Sequence, residues 1–185
     1  IAGQSDPHRG VRALVHVGLA EVQCEWNDLG AAAARMEQGL ALMPWWDKAD
    51  DLILAYVTLA RIRMAQGDEG GAAQAVDEAT QLVRTRGVFL EARQAAEVAQ
   101  VKLWLAQGDV QAARRWAASQ ERDHCLWPER MPAYVAQARV WVALNRPDQA
   151  LALLSRLQDA ARDAGWRGRA IEIGILAAMA LQKGR

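Results

Sequence analysis

Apolar residues return at every third or fourth position through most of this chain. In VRALVHVGLAEVQCEW, Leu14, Val17, Ala20 and Cys24 mark one side of a helix. In DLILAYVTLARIRMA, Ile53, Val57, Ala60 and Met64 do the same. Further stripes run through Ala32, Met36 and Leu40, through Ala72, Val76 and Ala79, and through Ala150, Leu154 and Leu157. No segment alternates polar and apolar for long enough to make a convincing strand. The pattern predicts helices over about 11–26, 30–43, 49–66, 69–86, 89–107, 110–122, 132–144, 147–164 and 168–183, with bounds good to about 2–4 residues.

Polar punctuation between these segments repeats. EWNDLGAAA, AQGDEGGAA and AQGDVQAAR share one form, a Gly or Asn followed by Asp and then an Ala-rich run. Gly67 and Gly108 fall where a helix end needs a left-handed residue, and Asn27 is the next best residue there. Asp28, Asp68 and Asp109 follow as N-caps, placed to accept orphan N–H groups of the next helix. In ALNRPDQAL, Asn145 takes the Gly role and Pro147 suits the first helical position. Gly184 is expected to close a fifth turn. These turn residues stand about 40, 41, 37 and 39 positions apart. A near-constant step of this size marks a solenoid of helical hairpins, since one hairpin cannot bury its apolar face alone.

The expected architecture is all-α: a right-handed helical-hairpin solenoid of about four and a half repeats of roughly 40 residues. It forms one repeat domain over 1–185, with repeats near 11–48, 49–88, 89–129 and 130–167 and a half repeat at 168–185. The connections after the second helix of each hairpin are longer and carry Pro44, Pro128 and Pro132. An unpaired last helix leaves an exposed apolar face, which can drive dimerisation. The chain starts at Ile, so a piece of something longer is expected.

Composition agrees. Ala is abundant and Phe and Tyr are scarce, which favours close-packed helices. Lys plus Arg and Asp plus Glu are 22 each, so no general electrostatic pull toward nucleic acid or anionic membrane is expected. No apolar run reaches the ~18 residues of a membrane span, and no signal-peptide pattern is present. Cys24 and Cys125 lack CxxC spacing and read as free thiols of a reduced, cytoplasmic protein.

The small-residue pairs Ala20 with Ala32, Ala60 with Ala72 and Ala138 with Ala150, with Pro44 closing a repeat, resemble the tetratricopeptide pattern. The period exceeds the usual 34 residues. GLAEVQCEWNDLGAAAARMEQGLAL, ARIRMAQGDEGGAAQAVDEA and AGWRGRAIEIGILAAMALQ resemble a long-repeat variant, the maltose-activator-like repeat region of LuxR-type, signal-transduction-ATPase transcriptional regulators. That resemblance implies a sensor placed between an ATPase module and a helix-turn-helix. Such a sensor binds a small-molecule inducer or a protein partner and helps control self-association. This chain has no GxxxxGK[ST] phosphate loop and no separate basic recognition helix, so neither ATP hydrolysis nor direct nucleic-acid binding is expected of it.

Candidate chemistry is sparse. His8, His16 and His124 are scattered, no HExxH or GxSxG occurs, and the adjacent His124 and Cys125 read as ordinary loop residues. Asp50 and Asp51 fit a helix start, where they complement the dipole. No enzyme, metal or cofactor is expected.

Two sets of residues are candidates for binding. The tetratricopeptide resemblance implies that the first helices of the hairpins line a concave side. Six positions before each turn residue stand Glu21, Arg61, Lys102 and Arg139, expected to face that groove. Three cations there suit a carboxylate, a phosphate or an acidic peptide, unless they pair with acids on neighbouring helices or reach for water. The second set is aromatic. Trp104 and Trp141 are expected in the core, and Trp26 and Trp116 in packing. Trp45, Trp46, Trp127 and Trp166 fall in the connections between hairpins, where they plug seams or line an edge suited to a sugar or other flat apolar ligand. Beside the sensor stand two other readings: a stand-alone scaffold holding an acidic peptide or partner helix in its groove, and a structural arm without a ligand.

Overall fold

The computed structural model describes residues 8–43, 48–120 and 127–184. Among them are nine α-helices and no strand: α1 (Arg9–Glu25), α2 (Leu29–Leu42), α3 (Ala49–Ala65), α4 (Glu69–Thr85), α5 (Leu90–Ala106), α6 (Val110–Ser119), α7 (Met131–Ala143), α8 (Pro147–Asp163) and α9 (Arg167–Lys183). A single 3-10 turn, Pro128–Arg130, precedes α7. The helix bounds agree with the periodicity to within one or two residues wherever the chain is described. The last two positions expected for α6, 121–122, lie outside the described residues.

The hairpin turns form as the sequence requires. Asn27, Gly67, Gly108 and Asn145 have φ of 60, 77, 75 and 57°. Each sits in a Schellman arrangement. Around Gly67, the Gly67 N–H donates to Met64 O at 3.1 Å and the Asp68 N–H to Arg63 O at 2.9 Å. The three aspartates then cap the following helices. Asp28 accepts from Ala31 N–H at 3.3 Å, Asp68 from Gly71 N–H at 2.8 Å and Asp109 from Ala112 N–H at 2.9 Å. Such a cap contributes about 1 kcal/mol.

Gly184 departs from the expectation, because its φ is −83°. The fifth left-handed residue is Gly165, at φ 70°. There the Trp166 N–H donates to Ala161 O at 2.8 Å. The connection from α8 to α9 is thus as tight as a turn inside a hairpin, where a longer link was expected.

The chain divides into two compact units, Ile1–Ala99 and Gln100–Arg185. In the first, α1 packs on α2, α3 on α4, and α2 on α3. Ala13, Ala20, Ala32, Met36 and Met43 form one core with Ala55 and Ile62 of α3. Ile53, Ala79, Ala92 and Ala96 form another, joined by Tyr56, Val57 and Leu82. Burying a side chain the size of Met36 or Ile53 contributes about 1.5–3 kcal/mol. Small residues let the helices approach closely. At Gly39 a Cβ would lie 3.2 Å from Ala13 O and 3.1 Å from a Val17 methyl. In the second unit α7 packs against α6, α8 and α9. Its core includes Ala113, Val140, Trp141, Leu154, Leu157, Ile173 and Leu176.

Candidate functional site

Glu21 on α1 and Arg61 on α3 occupy the same position of successive repeats, and both are exposed. Thr58 Oγ1 donates to Glu21 Oε1 at 3.3 Å. Arg61 Nη1 donates to Glu25 Oε1 at 2.7 Å, so the guanidinium meets the acid one turn beyond Glu21. In the second unit Arg139 on α7 donates from Nη2 to Glu172 Oε1 on α9, at 3.3 Å. Arg169 donates to the other oxygen of the same carboxylate at 2.8 Å. Arg139 Nε is shielded from solvent without a partner. Lys102 lies half-buried on α5, in the same unit as Arg139. The four candidates therefore fall two in each unit. Arg61 and Arg139 already neutralise carboxylates, and an incoming anion has to compete with Glu25 and Glu172.

Two of the aromatic candidates lie among the described residues. Trp127 and Trp166, both in the second unit, are 54% and 39% exposed. Trp127 precedes the 3-10 turn, with its N–H 3.4 Å from the Tyr134 hydroxyl. Trp166 is the residue before α9. Trp45 and Trp46 lie outside the described residues, as do His124 and Cys125. Of the tryptophans expected in packing, Trp141 is buried, with the Arg146 guanidinium 5.8 Å from its ring centroid. Trp104 and Trp116 are half-buried. Trp26 corrects the expectation: it is 78% exposed. It stands at the end of α1 on the side away from α2, where no described residue covers it.

Sequence reasoning missed that whole side of α1. Val11, Val15, Leu19 and Val22 are exposed there in line with Trp26. The signal was present, because these residues are apolar at helical spacing behind the stripe that meets α2. The last helix, α9, exposes Ile171, Ile175, Met179 and Leu181.

Two other groups complete the chemistry. The Tyr56 phenol is raised above its ordinary 10.0, first by burial and then by the nearby Glu78 carboxylate. Cys24 is a free, half-buried thiol beside the core between α1 and α2. Among the described residues no group of three or more His, Cys, Asp or Glu could hold a metal ion, and no helix is long and apolar enough to cross a membrane.

The surface thus offers paired cations on the first helices of the hairpins, exposed tryptophans at their connections and two apolar helix faces. These are features of a helical-repeat region that binds proteins or ligands. No curated protein matches the chain. A family model described as the MalT-like TPR region matches residues 2–184, so the chain belongs to that family of helical-repeat regions.

Proposed function

We propose that this chain is the sensor and protein-interaction region of a LuxR-type transcriptional regulator, where it binds a small-molecule inducer or a protein partner and controls self-association. The observation that carries this reading is the MalT-like match along residues 2–184, which leaves room in the chain for nothing but repeats. The role is one of binding rather than catalysis, in the cytoplasm. An effector that prefers one arrangement of the hairpins shifts the host protein between resting and assembling states by its difference in affinity for the two. The exposed face of α9 is a candidate surface for self-association.

The scaffold reading differs in what it asks of the cations. An acidic peptide must displace Glu25 from Arg61 and Glu172 from Arg139, and the exchange of one carboxylate for another contributes little in water. That favours the sensor. The test is the coding context together with a ligand screen. A phosphate-loop ATPase encoded upstream and a helix-turn-helix downstream, with saturable quenching of tryptophan fluorescence by a small effector, support the sensor. An open reading frame that encodes the repeats alone sinks it.

A further inference from the structure

We propose that the seam between α7 and α9 binds a small phosphate monoester, held by Arg139 and Arg169 in competition with Glu172. The inference deepens the sensor reading by naming the class of effector, and it rests on that reading only for the purpose of the site. It starts from charge. The zero balance of the whole chain divides unevenly. Residues 1–99 carry 9 Lys and Arg against 14 Asp and Glu, whereas residues 100–185 carry 13 against 8. The second unit is therefore cationic and draws anions toward its surface.

The excess reappears at one position of the repeat. Arg61 and Arg139 hold the same place relative to the left-handed residues Gly67 and Asn145. In the first unit Arg61 meets Glu25 one to one, at 2.7 Å. In the second unit two guanidinium groups share one carboxylate. Arg139 Nη2 lies 3.3 Å from Glu172 Oε1, and Arg169 Nη1 lies 2.8 Å from Glu172 Oε2. The pairing that is neutral between α1 and α3 thus keeps one positive charge in excess between α7 and α9. Arg169 also stands in the first turn of α9, where the helix dipole works against a cation. The side chains of Arg139, Arg169 and Glu172 are 38%, 43% and 30% exposed, so a solute can reach them.

The exchange with Glu172 selects the ligand. A monocarboxylate would replace Glu172 charge for charge and gain little in water. A phosphate monoester brings about −1.5 to −2 charges and three strong acceptor oxygens. A guanidinium offers five N–H donors, and Glu172 accepts one bond from each arginine. The phosphate can therefore accept from both forks and outbid the carboxylate that now lies between them.

The test is a calorimetric titration of the whole 185-residue chain with methyl phosphate, at low ionic strength, with acetate alongside. Saturable binding of methyl phosphate with a Kd on the order of 1 mM is expected, and acetate is expected to bind at least about tenfold more weakly. Arg139→Gln is expected to weaken methyl phosphate at least about tenfold, and Arg139→Lys, which keeps the charge and loses the fork, about threefold. Arg169→Gln is expected to act like Arg139→Gln, which keeps the test valid if the Arg139 variants disturb the fold. Glu172→Gln removes the competing charge and is expected to tighten binding about tenfold. Arg114→Gln removes an exposed cation of α6 in the same unit and is expected to leave binding within about twofold. If Arg114→Gln weakens binding as much as Arg139→Gln, the anion answers only the net charge of the unit, and the proposal is overturned. Absence of binding up to about 10 mM overturns it too. So does acetate binding as tight as that of methyl phosphate, or binding confined to vesicles containing phosphatidic acid. Each of these failures leaves the sensor reading standing, because the coding context decides that one separately.

Discussion

Helices α3 and α7 are the same element in two different surroundings. The turn residues Gly67 and Asn145 align YVTLARIRMA of α3 with YVAQARVWVA of α7, so Tyr56 matches Tyr134, Ala60 matches Ala138, and Arg61 matches Arg139. Both alanines are buried. Both arginines find a glutamate on a neighbouring first helix. Arg61 reaches back to Glu25 on α1, whereas Arg139 reaches forward to Glu172 on α9. The position after next differs most. In α3 it holds Arg63, which pairs with Glu37 and with Asp68 at 3.4 Å. In α7 it holds Trp141, which is 5% exposed. Helix α7 also buries Gln137, whose Nε2 donates to Ala117 O of α6 at 3.1 Å. One repeat frame therefore accommodates a charged seam and an apolar one. The frame fixes which positions meet a neighbour, and the neighbour decides which chemistry satisfies them.

Substitutions at the divergent position test this most strongly. Trp141→Ala is expected to cost about 3–5 kcal/mol in denaturant unfolding, because it removes a large buried side chain of α7 and leaves a cavity. Arg63→Ala is expected to cost about 1 kcal/mol, through lost stem packing and a partly exposed ion pair. Equal losses would mean that the two seams are energetically alike and that the comparison fails. The turns come next. Gly67→Ala forces a Cβ into the left-handed region and is expected to cost about 1–2 kcal/mol, whereas Asn145→Gly is expected to stay within about 0.5 kcal/mol of the parent. The smallest effect is confined to alkaline solution. Burial and Glu78 hold the Tyr56 phenol protonated above 10.0 in the folded chain, while the unfolded chain ionises nearer that value. The unfolded state then binds fewer protons, so this contribution is complete below pH 10 and is lost as the pH rises through the folded value. Tyr56→Phe is expected to flatten the alkaline limb of stability against pH. A limb of unchanged slope would assign it to other groups.

Much of this was legible in the sequence because it is local. Helix ends depend on a Gly or Asn, an Asp and the apolar residues beside them, all within a few positions of one another. The fifth turn shows where spacing misleads. Gly184 lies at the right interval but keeps an ordinary helical φ, and a Cβ there would lie 3.4 Å from a Pro147 ring carbon of α8, whereas Gly165 supplies the left-handed turn. The register of Arg61 and Arg139 was legible too, and their partners were not. Glu25 lies 36 residues before Arg61 and Glu172 lies 33 residues after Arg139, and no local rule chooses between looking back and looking forward. Trp26 was misplaced for a related reason. Periodicity marks a residue as apolar, but whether another helix covers it depends on packing that periodicity does not encode.

The Asp50 carboxylate on α3 accepts the Phe89 N–H, at the start of α5, at 2.8 Å, a bond across 39 residues. Among the described residues, other side-chain bonds between helices include that from Gln137 to Ala117, across 20 residues, and that from Lys183 to Val142, across 41. During synthesis at about 5–20 residues per second, each such contact can close within seconds of its second half leaving the ribosome. The first hairpin can hide its apolar stripe while the last is still untranslated. A chain built this way keeps little sticky surface waiting for distant sequence, and a pause in translation strands at most about one repeat without its neighbour.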